Sequence, residues 1–481
     1  MIKILNHYIH KAVLALLISE FIVLVISVYI GAFIRFGNDF NLDSPKADNF
    51  FSVSCLYAIL MMFSMSALGM YQINNKDDIR RVFLRLMPSL ALGFGLMTLV
   101  FYIAPDIYFG RGVLVLTIIV SAIGLLLSRG IVIKSYEFGI AKSRILILGI
   151  GSLAKECMDL ANSIHHSPYN VIGFVSMQEE KSVIDVVKQL PVGESLLSLA
   201  RKHKADEIIV AVQFRRESRI HSTGKFSAFG SSKNDRKPID ELLECKLAGI
   251  KVIDASTFFE REASQIRVDS LQPSWLVFSN GFDQSFLRAF SKRVFDLLAS
   301  FILLIVTLPI MLITSLCIFI EDRAPIFYQQ ERVGKYGQSF MVLKFRSMSN
   351  NAESEGKPQW ASENDPRTTK VGSIIRMLRI DELPQILNVF KGDMSFVGPR
   401  PERPYFVQQL AEQISFYNVR HSIKPGITGL AQVRYQYGAS VEDSIQKLQY
   451  DLYYVKNNSL FLDFLILIDT LQVVLLGKGA R

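Results

Sequence analysis

Four long apolar runs, at residues 12–34, 50–71, 86–104 and 112–127, fill the first third of the chain, with polar stretches between them. Each approaches or exceeds the ~17–25 residues that a helix needs to cross a ~30 Å hydrocarbon layer, so the pattern predicts four spans. The first run is too long for the apolar part of a signal peptide, and no small-x-small cleavage signal follows it. Glu20, inside it, is expected to snorkel to the near end of the helix. After residue 142 the rhythm changes. Short apolar, β-type runs at 144–148, 171–175, 207–212 and 251–254 alternate with helical periodicity at 153–164, 194–203 and 240–247. That alternation predicts a Rossmann-like parallel sheet. A new apolar run at 294–320 opens the last third, followed by short elements dense in Gly, Pro, Arg and acidic residues, and a final apolar run at 460–476.

Composition agrees with this unevenness. The chain has 481 residues, 50% hydrophobic and 20% charged, yet its mean hydropathy is +0.28. Disorder, collagen and a disulfide-stapled secreted scaffold are excluded. The reading is a membrane protein of mixed α and α/β class, in three parts. Residues 1–142 are a four-span anchor and 143–260 a Rossmann-like domain. A linker covers 261–290, and 291–481 is a small α/β domain that carries the chemistry. Cys55, Cys157, Cys245 and Cys317 form no Cys-x-x-Cys pair, so neither a zinc site nor a disulfide framework is indicated.

Charge adds topology. Lys3 and Lys11 precede the first run, Lys76, Arg80, Arg81 and Arg85 separate the second from the third, and Arg129, Lys134, Lys142 and Arg144 follow the fourth. The other two loops hold only Arg35, Lys46 and Arg111. The positive-inside rule then puts the N-terminus and everything after the fourth span in the cytoplasm. No ionisable residue recurs through the spans, so they read as an anchor and not as a transport path. The net charge of +9 is largely this signal, and the basic stretch 215–237 reads as a solvated flexible loop because few aromatics interleave it. Nucleic acid is not a needed partner.

In the middle domain Gly149, Gly151 and Ala154 form G-x-G-x-x-A between a strand and a helix, where a pyrophosphate could meet a helix N-terminus. The acidic residue that should close the second strand is missing, since that strand ends in Phe174, Val175 and Ser176. Nucleotide binding and a structural or regulatory use both stay open.

The run 294–320 would form a straight helix about 40 Å long, but Pro309 interrupts its middle. Arg288, Lys292 and Arg293 precede it; Arg323 and Arg332 follow it. With basic flanks on both sides, the expectation is a re-entrant helix–break–helix kinked near Leu308, with a plain fifth span as the alternative.

The chemistry is concentrated after it. FMVLKFR at 340–346 alternates as a strand, with Lys344 and Arg346 on one face. RIDELPQ at 379–385 leads into a helical run at 386–390; Pro384 suits a first turn and would put Asp381 near the N-cap. Asp381 and Glu382 would point about 100° apart on such a helix, so one can attack as a nucleophile while the other holds a metal. In GDMSFVGPRPERP, at 392–404, the prolines would hold Arg400 and Arg403 rigidly as phosphate forks. PGITGLAQV at 425–433 reads as a turn into a strand, and DLYYVKN begins at Asp451. Asp463 and Asp469 favour an interfacial amphipathic helix for the last apolar run.

With KRVFD and LKFRSM, these motifs resemble the catalytic domain of bacterial polyprenyl-phosphate sugar-1-phosphate transferases, the monotopic phosphoglycosyl transferase superfamily. The whole chain resembles its long members, which initiate exopolysaccharide or O-antigen synthesis. The resemblance implies transfer of a sugar phosphate from a UDP-sugar to undecaprenyl phosphate, with release of UMP and with Mg²⁺ as cofactor. It puts the catalytic pair on Asp381 and Glu382, with Glu382 on the metal. It puts substrate contacts on Lys344, Arg400 and Asp451, beside Arg346 and Arg403. It implies a multi-pass protein of the bacterial inner membrane and admits a homodimer. Leu430 stands where many members have Trp, so the motif assigns no sugar. Two rival readings explain less. A nucleotide-sugar dehydratase lacks its Tyr-x-x-x-Lys pair here, and a non-enzymatic scaffold leaves the DELPQ and GPRPERP motifs without a role.

Overall fold

The computed structural model describes residues 2–4, 7–9, 11–37, 50–71, 79–107, 110–137, 142–163, 169–176, 183–184, 189–190, 194–212, 238–271, 282, 285–323, 325–349, 367–435, 438 and 440–475. The expected loop at 215–237 lies outside them. The chain divides into two compact units, one of Met1–Tyr71, Phe83–Gly124 and Leu271–Arg481, the other of Gln72–Val82 and Leu125–Ser270.

Helices α1 (Lys11–Phe36), α2 (Phe50–Ala67), α3 (Ile79–Ile103) and α4 (Arg111–Glu137) take up the four apolar runs. Among the described residues, these four and α9 (Phe286–Asp322) are long and apolar enough to cross a membrane. This is a membrane protein. Small residues let the anchor helices approach closely: Gly31 lies against Thr117, and Gly93 against Met61. The hydroxyls of Tyr57 and Ser121 meet at 2.9 Å. Glu20 departs from expectation. It stands nine residues into α1, about 13 Å along the axis, too far for its short side chain to reach the helix end, and it is fully buried. The sequence reading also missed a hairpin ahead of α1, β1 (Ile2–Ile4) with β2 (His7–Ile9), whose three-residue strands are too short to show alternation. His7 Nδ1 lies 2.8 Å from the Tyr453 hydroxyl.

The second unit holds the parallel sheet in the order β4-β3-β5-β6, formed by β3 (Ser143–Leu148), β4 (Tyr169–Val175), β5 (Glu207–Val210) and β6 (Lys251–Asp254). Alternation along β3 decides what covers each face. Ile145 and Ile147 pack with α5 (Ser152–Ser163) and α8 (Ala255–Ala263). Leu146 and Leu148 pack with α6 (Leu196–Lys202) and α7 (Pro238–Leu247). Gly149 has φ +123°, and the Ala211 carbonyl occupies the space a Cβ would need. Sheet packing alone therefore requires glycine there, with no ligand invoked.

The chemistry-bearing region is built on α9. The hairpin β7 (Phe327–Val333) and β8 (Ser339–Phe345) is antiparallel, with Tyr328 opposite Lys344. Then come α10 (Lys370–Met377), a 3₁₀ turn (Ile380–Gln385), α11 (Ile386–Lys391), β9 (Ser395–Val397), α12 (Pro404–Gln413), β10 (Gly426–Thr428), α13 (Leu430–Arg434), α14 (Val441–Asn457) and α15 (Leu460–Leu475). Both faces of β8 are covered: Val342 packs with Val389 and Met394, and Phe345 with Met311, Ile318 and Ile375.

Three expectations are corrected. PGITGLAQV holds a strand only at Gly426–Thr428, paired in parallel with β9; Leu430 starts a helix, because Gly429 in extended backbone serves as its N-cap. α9 runs through Pro309 as one helix, not as helix–break–helix. The proline removes one backbone hydrogen bond, too little to end a helix whose apolar residues pack from Leu304 to Ile318. In α15 the aspartates face protein. Asp463 accepts from the Tyr454 hydroxyl at 2.6 Å and pairs with Lys292 at 2.9 Å, and Asp469 pairs with Arg434 at 2.9 Å. Its exposed residues are apolar, Leu460, Phe464, Val474 and Leu475, the reverse of a polar outer face.

Candidate active site

The RIDELPQ segment does not begin an α-helix at Asp381. Arg379, in the left-handed region at φ 56°, caps a 3₁₀ turn that contains Asp381, Glu382 and Pro384, and α11 starts only at Ile386. Both carboxylates therefore stand on a short turn, with Ile380 and Leu383 packed down onto α9.

Lys344, near the end of β8, donates to Glu382 Oε1 at 3.1 Å, and Arg400 Nη2 donates to the same oxygen at 2.8 Å. Burial alone would raise the Glu382 pKa, but Arg400 and Lys344 outweigh it and hold the carboxyl well below its usual range. Asp381 is the opposite case. Among the described residues its side chain makes no hydrogen bond. Burial, with the Glu382 carboxylate next to it, pushes its pKa from 3.8 up to about 6.

Arg400 owes its position to its own backbone. Four consecutive carbonyls are held: Pro399 O by Gly426 N at 2.9 Å, Arg400 O by Arg420 Nη2 at 2.9 Å, Pro401 O by Arg332 Nη1 at 3.1 Å, and Glu402 O by Val333 N at 2.9 Å. Gly398 and Gly426 lie backbone to backbone, and a Cβ on either would strike the other segment. With its backbone fixed, the Arg400 side chain remains 38% exposed, open to an incoming anion. Arg403 immediately precedes α12. Burial lowers the Arg332 pKa; the Glu402 carboxylate pulls it back up, while the guanidiniums of Arg400 and Arg403 push it down.

Arg346 is buried just beyond β8, and its backbone N–H donates to Ile326 O at 2.9 Å. Asp451, 2% exposed, pairs with Arg420 at 2.8 Å; burial raises its pKa to about 6 although Arg420 pulls the other way. Because Arg420 also holds the Arg400 carbonyl and donates to the Tyr417 hydroxyl at 2.7 Å, Asp451 acts on the site through Arg420. Sequence reasoning missed Arg420. Its one signal was a lone cation inside the aromatic stretch FYNVRHS. It also gave no role to Asp296 in KRVFD, which accepts from Ser395 Oγ at 2.8 Å and Phe396 N at 3.1 Å and so fixes β9 to α9.

Residues 287–477 match the family model described as bacterial sugar transferase, and residues 66–225 match one described as a CoA-binding domain. A UDP-N-acetylgalactosamine-undecaprenyl-phosphate N-acetylgalactosaminephosphotransferase of Aeromonas hydrophila is 44% identical over 240 residues, 50% of this chain and 56% of that protein. A UDP-glucose:undecaprenyl-phosphate glucose-1-phosphate transferase of Klebsiella pneumoniae is 32% identical over 289 residues, covering 59% of this chain and 58% of that one. The chain thus spans a little over half the length of these two relatives. A UDP-galactose-lipid carrier transferase of Erwinia amylovora is 32% identical over 357 residues, 70% of this chain and 69% of the relative.

Proposed function

Because the chain belongs to the bacterial sugar transferases, we propose that it moves a sugar-1-phosphate from a UDP-sugar to polyprenyl phosphate in the bacterial inner membrane, releasing UMP. The observation that carries this reading is the asymmetry of the acidic pair. Lys344 and Arg400 neutralise Glu382, while Asp381 keeps a carboxylate with no hydrogen-bond donor on it among the described residues and a pKa of about 6. A carboxylate in that state is ionised at neutral pH and unencumbered, as a nucleophile must be.

The reaction runs in two displacements. An Asp381 oxygen attacks the sugar-bearing phosphorus, and the bond from that phosphorus to the bridging oxygen breaks, so UMP leaves with the electron pair. A polyprenyl phosphate oxygen then attacks the phosphosugar–aspartyl phosphorus and frees Asp381. Lys344 and Arg400, with Arg403, stabilise charge on the phosphate oxygens. Glu382 holds both cations in place. Two steps suit a lipid acceptor, which need not share the site with the nucleotide.

Mg²⁺ fits in a restricted way. Among the described residues no three His, Cys, Asp or Glu side chains group together, and Glu382 Oε1 already accepts from two cations, leaving Oε2. One carboxylate oxygen with substrate phosphates is a usual Mg²⁺ environment, so the ion would arrive with the diphosphate and offset its charge.

Residues at both ends of α9 contact the same catalytic region. Arg293 reaches α11 and Glu321 reaches α10, while Ile305, Val306, Leu312 and Ile313 between them are more than half exposed. This supports a seat in which both flanks of the unbroken helix stay on the cytoplasmic side. The test is labelled UDP-sugar supplied to the full chain in vesicles containing polyprenyl phosphate, with release of UMP as the readout. Wild type releases UMP, and Asp381→Asn loses at least about 10⁴-fold in rate. Wild-type-like turnover by that variant sinks the nucleophile assignment.

A further inference from the structure

Among the described residues Asp381 has no side-chain hydrogen bond to hold it, so its position depends on the backbone of the 3₁₀ turn. That turn lies within residues 370–391, between α10 and α11, and it opens on a non-glycine residue in the left-handed region. Little inside so short a turn fixes it in space. What fixes it is the pair of helices on either side, and a helix leaves its first N–H groups and last C=O groups open to outside partners.

Those groups are taken up from α9. At the start of α10, Glu321 accepts from the backbone N–H of Lys370 at 2.8 Å and of Val371 at 3.2 Å. Thr369 completes the turn, its side chain accepting from Gly372 N at 2.9 Å and its carbonyl from Ser373 N at 2.9 Å. At the end of α11, Arg293 Nη1 donates to Val389 O at 2.6 Å and Nη2 to Phe390 O at 2.7 Å. The signs also suit the helix dipoles, an acid at an N-terminus and a base at a C-terminus. Between the two polar contacts, Ile380 and Leu383 pack with Leu304, Met311 and Ile318 of the same helix.

We propose that Arg293 and Glu321 are positioning residues for the transfer reaction, through which the membrane helix clamps the acidic turn from both ends and sets where Asp381 stands. The proposal rests on the reading of Asp381 as nucleophile. It makes the membrane helix part of the catalytic geometry as well as the anchor: a displacement of either end of α9 is carried to the turn through charge-assisted hydrogen bonds.

The experiment measures UMP release by the full chain in vesicles containing polyprenyl phosphate, normalised to folded protein by its melting transition. Arg293→Ala and Glu321→Ala are expected to lower kcat by about 100-fold, the scale of a misplacement near 1 Å. KM for the UDP-sugar should stay within about threefold, because the groups that bind phosphate are untouched. Arg293→Lys, which cannot fork to two carbonyls, should fall between. Glu321→Gln, which keeps an oxygen for the Lys370 N–H, should recover most of the rate.

The split between kcat and KM, together with recovery in the Gln form and partial recovery in the Lys form, is a reading that a purely structural role does not give. The proposal is overturned if the folded alanine variants keep wild-type kcat, or if kcat and KM change together and the Lys and Gln forms recover nothing. Turnover by Asp381→Asn in the same assay would instead remove the reading beneath it.

Discussion

Arg261 in the parallel-sheet domain and Glu382 in the catalytic domain are each a buried charge held by opposite charges, yet the two clusters differ in what they leave over. Arg261 forks to Glu207 at 2.7 and 3.1 Å, donates to Glu262 at 2.6 Å, and donates to the Tyr169 hydroxyl at 3.2 Å. Tyr169 in turn donates to Glu262 at 2.5 Å. Every member is bonded to another, and the cluster ties α8 to β4 and β5. Around Glu382 the charges also balance, two carboxylates against Lys344 and Arg400, but both cations turn to one carboxylate and none donates a hydrogen bond to the other. A closed network stabilises a fold. An open one, with a carboxylate left at about 6, keeps a group ready to react.

The contrast is tested most severely by Arg261→Ala. Removing the shared donor leaves Glu207 and Glu262 buried without their main partner, a loss of about 3–5 kcal/mol in the stability of that domain. Thermal melting followed by protease sensitivity of residues 143–260 should record it, while UMP release per folded molecule stays at the wild-type level. A loss below about 1 kcal/mol, the value of a surface pair, would mean that the network is not what holds α8.

Arg400→Ala comes next. Loss of one preorganised donor is expected to lower kcat by about 10²–10³-fold, with little change in melting, because the Arg400 side chain is partly exposed and its backbone is held through carbonyls that alanine keeps. If stability fell as far as in Arg261→Ala and kcat did not, the two clusters would be the same kind of object.

The sequence exposed these regions unequally. Periodicity marked the four anchor helices and every strand of the parallel sheet within two residues of its ends, since runs of β-branched and apolar residues are local signals. The acidic pair and Lys344 were legible because their motifs bring short, unusual residue combinations together. The 3₁₀ geometry was not, because it depends on Arg379 adopting a left-handed backbone, which no local propensity of Arg requires. Asp463 and Asp469 were assigned to the wrong environment for a related reason. An acid in an apolar helix faces water or a buried partner, and the partners Lys292 and Arg434 lie 171 and 35 residues away by subtraction of residue numbers. Arg420 escaped notice in the same way, with Asp451 and Arg400 distant in the chain.

The smallest expected effect separates the clusters most finely. The Asp381 pKa rises from 3.8 to about 6 on folding, first by burial and then by Glu382, so between those values the folded chain binds more protons than the unfolded one. Stability contributed by this group is therefore present below pH 3.8 and lost as pH rises through about 6. At pH 7.5 the ionised Asp381 opposes folding, and Asp381→Asn should be more stable than wild type by about 1 kcal/mol, or about 2–4 °C in the melting of the catalytic domain. The gap should narrow as pH falls toward 4, where wild type also carries a neutral group at this position. Glu262, which burial also raises, is bonded to both Arg261 and Tyr169, so Glu262→Gln should lower stability at pH 7.5 instead. Opposite signs for the two substitutions are what a reactive carboxylate and a structural one require. A lower melting temperature for Asp381→Asn at pH 7.5 would place Asp381 with Glu262, as a carboxylate that the fold needs.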